Sequence, residues 1–138
     1  MARIERFENI EAWKMARELT GQVYEITSTG RFARDFGLKD QMRRAAVSIM
    51  SNIAEGFERG GDKEFIHFLA IAKGSCGEVR AQLYVALDQV YVTQEQWESA
   101  YNKAVEVSRL ISGFIKYLRE SEMQVSRKSA SQVESQKS

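Results

Sequence analysis

At 138 residues the chain has room for one domain with one substantial core. A hydrophobic share of 43% with 28% charged residues is that of a folded globular protein, and zero proline argues against a β-sandwich or α/β fold, which use proline at turns and strand edges. A formal net charge of +1 excludes a generally basic nucleic-acid binder, so any such role must come from a local patch.

Cys76 is the only cysteine, which excludes an internal disulfide and suits a reducing compartment. Residues 1–6 lack the apolar run of a signal peptide, and no stretch approaches the roughly 18 uninterrupted apolar residues of a membrane span. The expected location is therefore the cytoplasm, with no membrane partner.

The first helix is expected over residues 8–29. Ile10, Trp13, Ala16, Leu19, Val23 and Ile26 recur at three- and four-residue intervals and so share one face, and Gly30 stops the element. Residues 30–37 read as a loop in which Phe32 and Phe36 close the end of the core; the alternative is an exposed anchor for a partner. Arg31, Arg34, Lys39 and Arg43, with Arg44 beside them, form a basic run interrupted by Asp35 and Asp40. Exposed at one end and repeated in an oligomer, that run would make a positive rim for phosphates; the other reading is a solvated surface with local ion pairs.

The second helix is expected over 38–57, with Met42, Ala45, Ala46, Ile49 and Ile53 as its apolar stripe. A polar stripe of Gln41, Arg44, Ser48, Asn52 and Glu55 lies beside it. Gly56, Gly60 and Gly61 end the helix. The third helix is expected over 62–90, with Asp62 as N-cap and Phe65, Phe68, Leu69, Ala72, Cys76, Val79, Leu83, Ala86 and Leu87 facing the core. The fourth, over 93–120, opens on the capping box Thr93-Gln94-Glu95-Gln96 and carries Trp97, Tyr101, Ala104, Ser108, Ile111, Ile115 and Leu118 as a seam flanked by Val107 and Phe114. Residues 121–138 are rich in Ser, Gln and Lys and are expected to be a disordered tail. Short connections between helices of similar length give an all-α, up-down-up-down antiparallel four-helix bundle over residues 1–120.

The chemistry-bearing motifs are weak. Glu64-x-x-His67 is half of a di-iron bundle site, but His67 is the only histidine, so one subunit lacks the second half. Cys76 lies on an apolar helix face without a base at hand. No glycine-rich phosphate loop, cysteine pair or nucleophile elbow is present. No catalytic, metal or cofactor residue and no small-molecule substrate are therefore expected. Folding the second and third helices back around Gly60-Gly61 brings positions whose numbers sum to about 122 level. Arg44 then meets Glu78, Ser48 meets Gly74 and Glu55 meets His67. The expectation is a partly buried polar seam, completed by Gln41 and Asn52, that sets the hairpin's register.

Three blocks of the sequence carry a family likeness: Phe7-Glu8-Asn9-Ile10 with Trp13 and Ala16, then the run from Phe36 through Gln41-Met42-Arg43-Arg44-Ala45 to Asn52-Ile53-Ala54-Glu55-Gly56, and Lys63-Glu64-Phe65-Ile66-His67-Phe68-Leu69 with Gly74, Ser75 and Glu78. Over about residues 5–118 the chain resembles the four-helix-bundle family named for the intervening sequences of bacterial 23S rRNA genes. It departs at Met50, where the family commonly has proline, and at Cys76-Gly77, where a leucine is usual. The resemblance implies a cyclic homopentamer without enzymatic activity. Distant relatives are the accessory proteins of diversity-generating retroelements, which bind a reverse transcriptase and nucleic acid; they tend to be more basic than this chain. The leading expectation is a homo-oligomeric module binding RNA, DNA or a nucleic-acid-processing protein. The competing one is an enzyme whose site is completed between subunits. Leftover apolar residues at Tyr24, Tyr84, Tyr91, Tyr101, Val107 and Phe114 support the oligomer.

Overall fold

A computed structural model describes the backbone of residues 4–137 and the side chains of residues 4–121. Among the described residues there are four α-helices and no strand: α1 (Glu11–Ile26), α2 (Phe36–Arg59), α3 (Asp62–Asp88) and α4 (Gln94–Lys137), with single 3-10 turns at Phe7–Asn9 and Phe32–Arg34. Each helix packs on its neighbours around a ring, α1 on α2 and α4, α3 on α2 and α4. The cross-links show antiparallel pairing: Gln22 Nε2 donates to Ser99 Oγ and Lys103 pairs with Glu18 between α1 and α4, while Cys76 Sγ donates to the Ala104 carbonyl between α3 and α4. The result is the four-helix bundle that the spacing of apolar residues predicts.

The apolar stripes fill the centre. Leu19, Val23, Met42, Ile49, Ile53, Leu69, Val79, Leu83 and Ile111 are fully buried. Val107, expected at the flank and counted as leftover surface, is fully buried in this core. Gly56 is buried where α2 meets α3, and its neighbours leave no room for a side chain.

Helix ends account for most departures from the expected boundaries. Residues 7–9 turn tightly and Ile10 is extended, so α1 begins at Glu11. It stops at Ile26, where the Thr27 hydroxyl donates back to the Val23 carbonyl at 2.6 Å. Asp35, expected only as an interruption of the basic run, caps α2: its Oδ1 accepts from the Leu38 amide at 3.1 Å, which starts the helix at Phe36. Asp62 is not an N-cap; Gly61 holds that place without a side-chain bond. The capping box is present in both directions, with Gln96 N–H donating to Thr93 Oγ1 and Thr93 N–H to Gln96 Oε1. The backbone of the helix it opens runs to Lys137, through most of the segment expected to be a disordered tail; no glycine or proline follows Gly113 to stop it. The side chains of that segment from residue 122 on lie outside the described residues.

The two expected core-closing phenylalanines part company. Phe32 is fully buried, whereas Phe36, the first residue of α2, is 67% exposed with the Lys39 ammonium 4.9 Å from its ring centroid.

The C-terminus of α3 carries strain. Tyr91 N–H reaches back to the Ala86 carbonyl and Val90 N–H to that of Leu87, a closing motif that requires the left-handed conformation at Val90 (φ 58°). A β-branched residue there costs about 1–2 kcal/mol. Val90 is 75% exposed, so no packing offsets the strain. Val90→Gly is expected to raise stability by about 1 kcal/mol, a few degrees in a thermal melt. A lowered midpoint would mean that the valine side chain holds this corner together.

Candidate nucleic-acid interface

The basic run converges on one end of the bundle, around the connection between α1 and α2. Arg31 donates to the Gln89 carbonyl at 2.6 Å, with its guanidinium carbon 5.4 Å from the centroid of the Tyr91 ring. Lys39 donates to the Ala33 carbonyl. Arg43 donates through Nε to Thr27 Oγ1 at 2.9 Å and through Nη2 to Ser28 Oγ at 3.1 Å, with its guanidinium 4.3 Å from the Tyr24 centroid. Arg34 is exposed and carries no ion pair among the described residues. The patch is held in place by loop and helix-end acceptors, with Arg31 and Arg34 exposed and Lys39 and Arg43 half-buried. Of the two acids in the run, Asp35 caps α2 and accepts from the Tyr91 hydroxyl at 3.0 Å, which pushes the Tyr91 phenol above its ordinary value. Beside the patch lies an open depression of about 590 Å³ lined by Tyr24, Asp40, Arg43, Arg44, Val47 and Ser48.

The polar seam exists only at its middle. Ser48 Oγ and Ser75 Oγ lie 2.9 Å apart, and Asn52 Nδ2 donates to both the carbonyl and the hydroxyl of Ser48. Ser75 therefore takes the place expected for Gly74, one residue along. The charged ends do not form: Gln41, Arg44, Glu55, His67 and Glu78 are all exposed in the single chain, Arg44 makes no ion pair with Glu78, and Glu55 pairs with Arg59 at 2.9 Å instead of meeting His67. Core residues Ala72, Cys76 and Val79 set the inward face of α3. At about 100° per residue, Gly74, Glu78 and His67 then fall on its outer side.

Cys76 is fully buried among apolar side chains, and burial pushes its thiol up to about 11. A protonated, enclosed thiol is not a nucleophile. Its folded pKa lies above its unfolded value of 9.0, so the folded state keeps a proton that the unfolded state releases. Stability is then fully present below pH 9 and falls as pH rises toward 11, by about 2–3 kcal/mol in all. A Cys76→Ala variant should lack this part of the alkaline loss in urea melts at stepped pH; an unchanged loss would assign it elsewhere.

A second cationic region lies apart from the basic run, at residues not expected from the sequence. Lys73, Lys116 and Arg119 surround an open cleft of about 630 Å³ between α3 and α4, with Gly74 and Ser112 also lining it. Farther along the same pair of helices, Trp97 and Tyr101 stack with centroids 4.6 Å apart and Tyr84 meets both at 5.1 and 5.5 Å. The signal was available in the spacing of Lys73, Gly77, Arg80 and Tyr84, a stripe displaced from the core face, but charge runs in sequence hid a patch assembled from two helices.

A family model for the 23S rRNA-intervening sequence protein matches residues 8–113. No curated protein matches the chain. Among solved structures, the chain is similar to a protein of unknown function from the S23 ribosomal protein family of Bacteroides thetaiotaomicron, with 26% identity and a TM-score of 0.70 over 76% of this chain and 98% of that one. The family match takes in α1, α2, α3 and α4 as far as Gly113, and so covers the basic end and Lys73 but stops short of Lys116 and Arg119. On that extent of agreement, the chain belongs to the 23S rRNA-intervening sequence protein family.

Proposed function

We propose that this chain is a non-catalytic, homo-oligomeric binding protein that engages nucleic acid through the basic end of its bundle. The observation that carries the reading is the convergence of Arg31, Arg34, Lys39 and Arg43 on one end, with three of the four held in place by backbone carbonyls or hydroxyls and Asp35, one of the two acids in the run, used as a helix cap. Pre-positioned cations lose little freedom on meeting phosphates, and a ring of copies would multiply the charge without raising net charge per chain. A cyclic homopentamer is the assembly that fits the family likeness. Tyr24, Val47, Ile71, Val85 and Tyr117 are large apolar residues left at least 40% exposed by a single bundle, and such surface commonly marks contact between copies.

Two measurements test this. Light scattering at micromolar concentration should give a multiple of the 15.8 kDa chain mass, and a monomer would refute the assembly. Binding to structured RNA and duplex DNA should weaken steeply with salt because phosphate contacts release counterions. Replacing Arg31, Arg34 and Lys39 together should weaken all sequences about equally. Affinity that ignores salt or this triple change would refute the patch.

A further inference from the structure

The outer groove between α3 and α4 has its own composition, independent of the basic end. On α3, Lys73, Gly77, Arg80 and Tyr84 recur at four, three and four residues and so form one stripe. On α4, Trp97, Tyr101, Ser108, Ser112 and Arg119 answer it. At one end of the groove Tyr84 is 47% exposed beside the stacked Trp97–Tyr101 pair, with the Arg80 guanidinium 5.7 Å from the Tyr101 centroid. Trp97 Nε1 and Arg80 Nε are buried donors without a hydrogen-bond partner among the described residues. That is two unused donors on one face. At the other end Lys73, Lys116 and Arg119 surround a cleft floored by small residues, with Glu120 as the carboxylate at its rim. The span from Lys73 to Tyr84 is about 16 Å of helix.

We infer that this groove is a track for single-stranded nucleic acid, with bases stacking at Tyr84 and phosphates running to Lys73, Lys116 and Arg119. The inference deepens the nucleic-acid reading given above and rests on it, but uses different residues. Aromatic rings that accept any base face, combined with cations along a groove, are what sequence-tolerant single-strand binding requires. A duplex keeps its bases inside and cannot use the Tyr84 ring. A span of this length fits a few extended nucleotides, and the small residues Gly74 and Ser112 let a backbone approach between the cations.

The test is fluorescence anisotropy of labelled oligouridine and oligothymidine against labelled duplex DNA, with the full chain at low and moderate salt. Lys73→Ser, Lys116→Ser and Arg119→Ser together should weaken the single strands about tenfold or more and flatten the salt slope by about 2. Tyr84→Ala should weaken them about tenfold and leave duplex binding unchanged, while Tyr84→Phe keeps the ring and the affinity. In a Trp13→Phe background the remaining tryptophan, Trp97, should change its emission on adding oligouridine. Single-strand binding that survives the groove changes but is lost with Arg31, Arg34 and Lys39 would overturn the groove and leave the basic end standing. Failure of the unmodified chain to bind any of the probes would remove both readings. Groove variants that shed oligomer mass in light scattering would show instead a contact between copies, and would equally overturn the track.

Discussion

Phe32→Ala is expected to lower the free energy of unfolding by about 3–5 kcal/mol, the range for deleting a buried aromatic side chain. Phe36→Ala, four residues on, should change it by no more than about 0.5 kcal/mol. Phe32 is fully buried and leans on Tyr91, ring centroids 5.1 Å apart. Tyr91 in turn holds Asp35, which caps α2, and lies under Arg31. Removing the Phe32 ring therefore opens a cavity beneath the connection that positions the basic end. The midpoint of a thermal melt should fall by roughly 10–20 °C. The variant should also bind duplex DNA more weakly in proportion to the loosening of Arg31. Similar losses from both alanine changes would mean that Phe36 is buried in the assembled protein, and that the exposed ring of the single chain is an interface residue.

The contrast between these two residues shows what the amino-acid pattern carries and what it does not. Helix number, the inward faces of α1 to α3 and the capping box at Thr93 follow from local rules of spacing and capping, and all are present. Phe32 and Phe36 are both aromatic residues in a short loop; which of them turns inward depends on where Asp35 starts α2, a choice made by one carboxylate–amide bond. The polar seam failed for a related reason. Folding a hairpin about its turn tells which residues lie level, not which way they point around the axis. Ser48 finds Ser75, whereas Glu78 and His67 lie on the far side of α3. Long side chains such as Arg44 and Glu55 also extend from a boundary position into water, while a serine hydroxyl stays beside the backbone and finds its partner there. The candidate site suffered most, because the cleft of Lys73, Lys116 and Arg119 is built from residues more than forty positions apart and exists only once α3 and α4 pair.

Gly56→Ala should destabilise the bundle, against the ordinary preference for alanine in a helix. A Cβ at Gly56 would stand 2.8 Å from Phe68 Cβ, 3.0 Å from Phe65 Cδ1 and 3.3 Å from the Phe65 carbonyl oxygen. The Phe65 ring can turn, but a Cβ and a carbonyl move only with the backbone of α3. The helices must separate, and Phe65 is the link from Phe57 on α2 to Phe114 on α4, so the strain spreads across the core. Overpacking of this kind costs about 1–3 kcal/mol, and the gain in helix propensity returns at most about 1. A net loss of about 1–2 kcal/mol is expected for Gly56→Ala, and a larger one for Gly56→Val. Gly74→Ala and Gly77→Ala make the opposite case within the neighbouring helix. Nothing lies within 4 Å of a Cβ built at either, so each should stabilise by up to about 1 kcal/mol. Urea melts of the three alanine variants decide the matter: a lowered midpoint for Gly56 alone supports the close approach, and a raised midpoint at all three refutes it. Gly74 adds a functional corollary, since its methyl would stand on the floor of the cleft between Lys73 and Lys116. The same substitution should firm the fold and weaken oligouridine, a pairing of effects that a glycine kept only for helix packing would not produce.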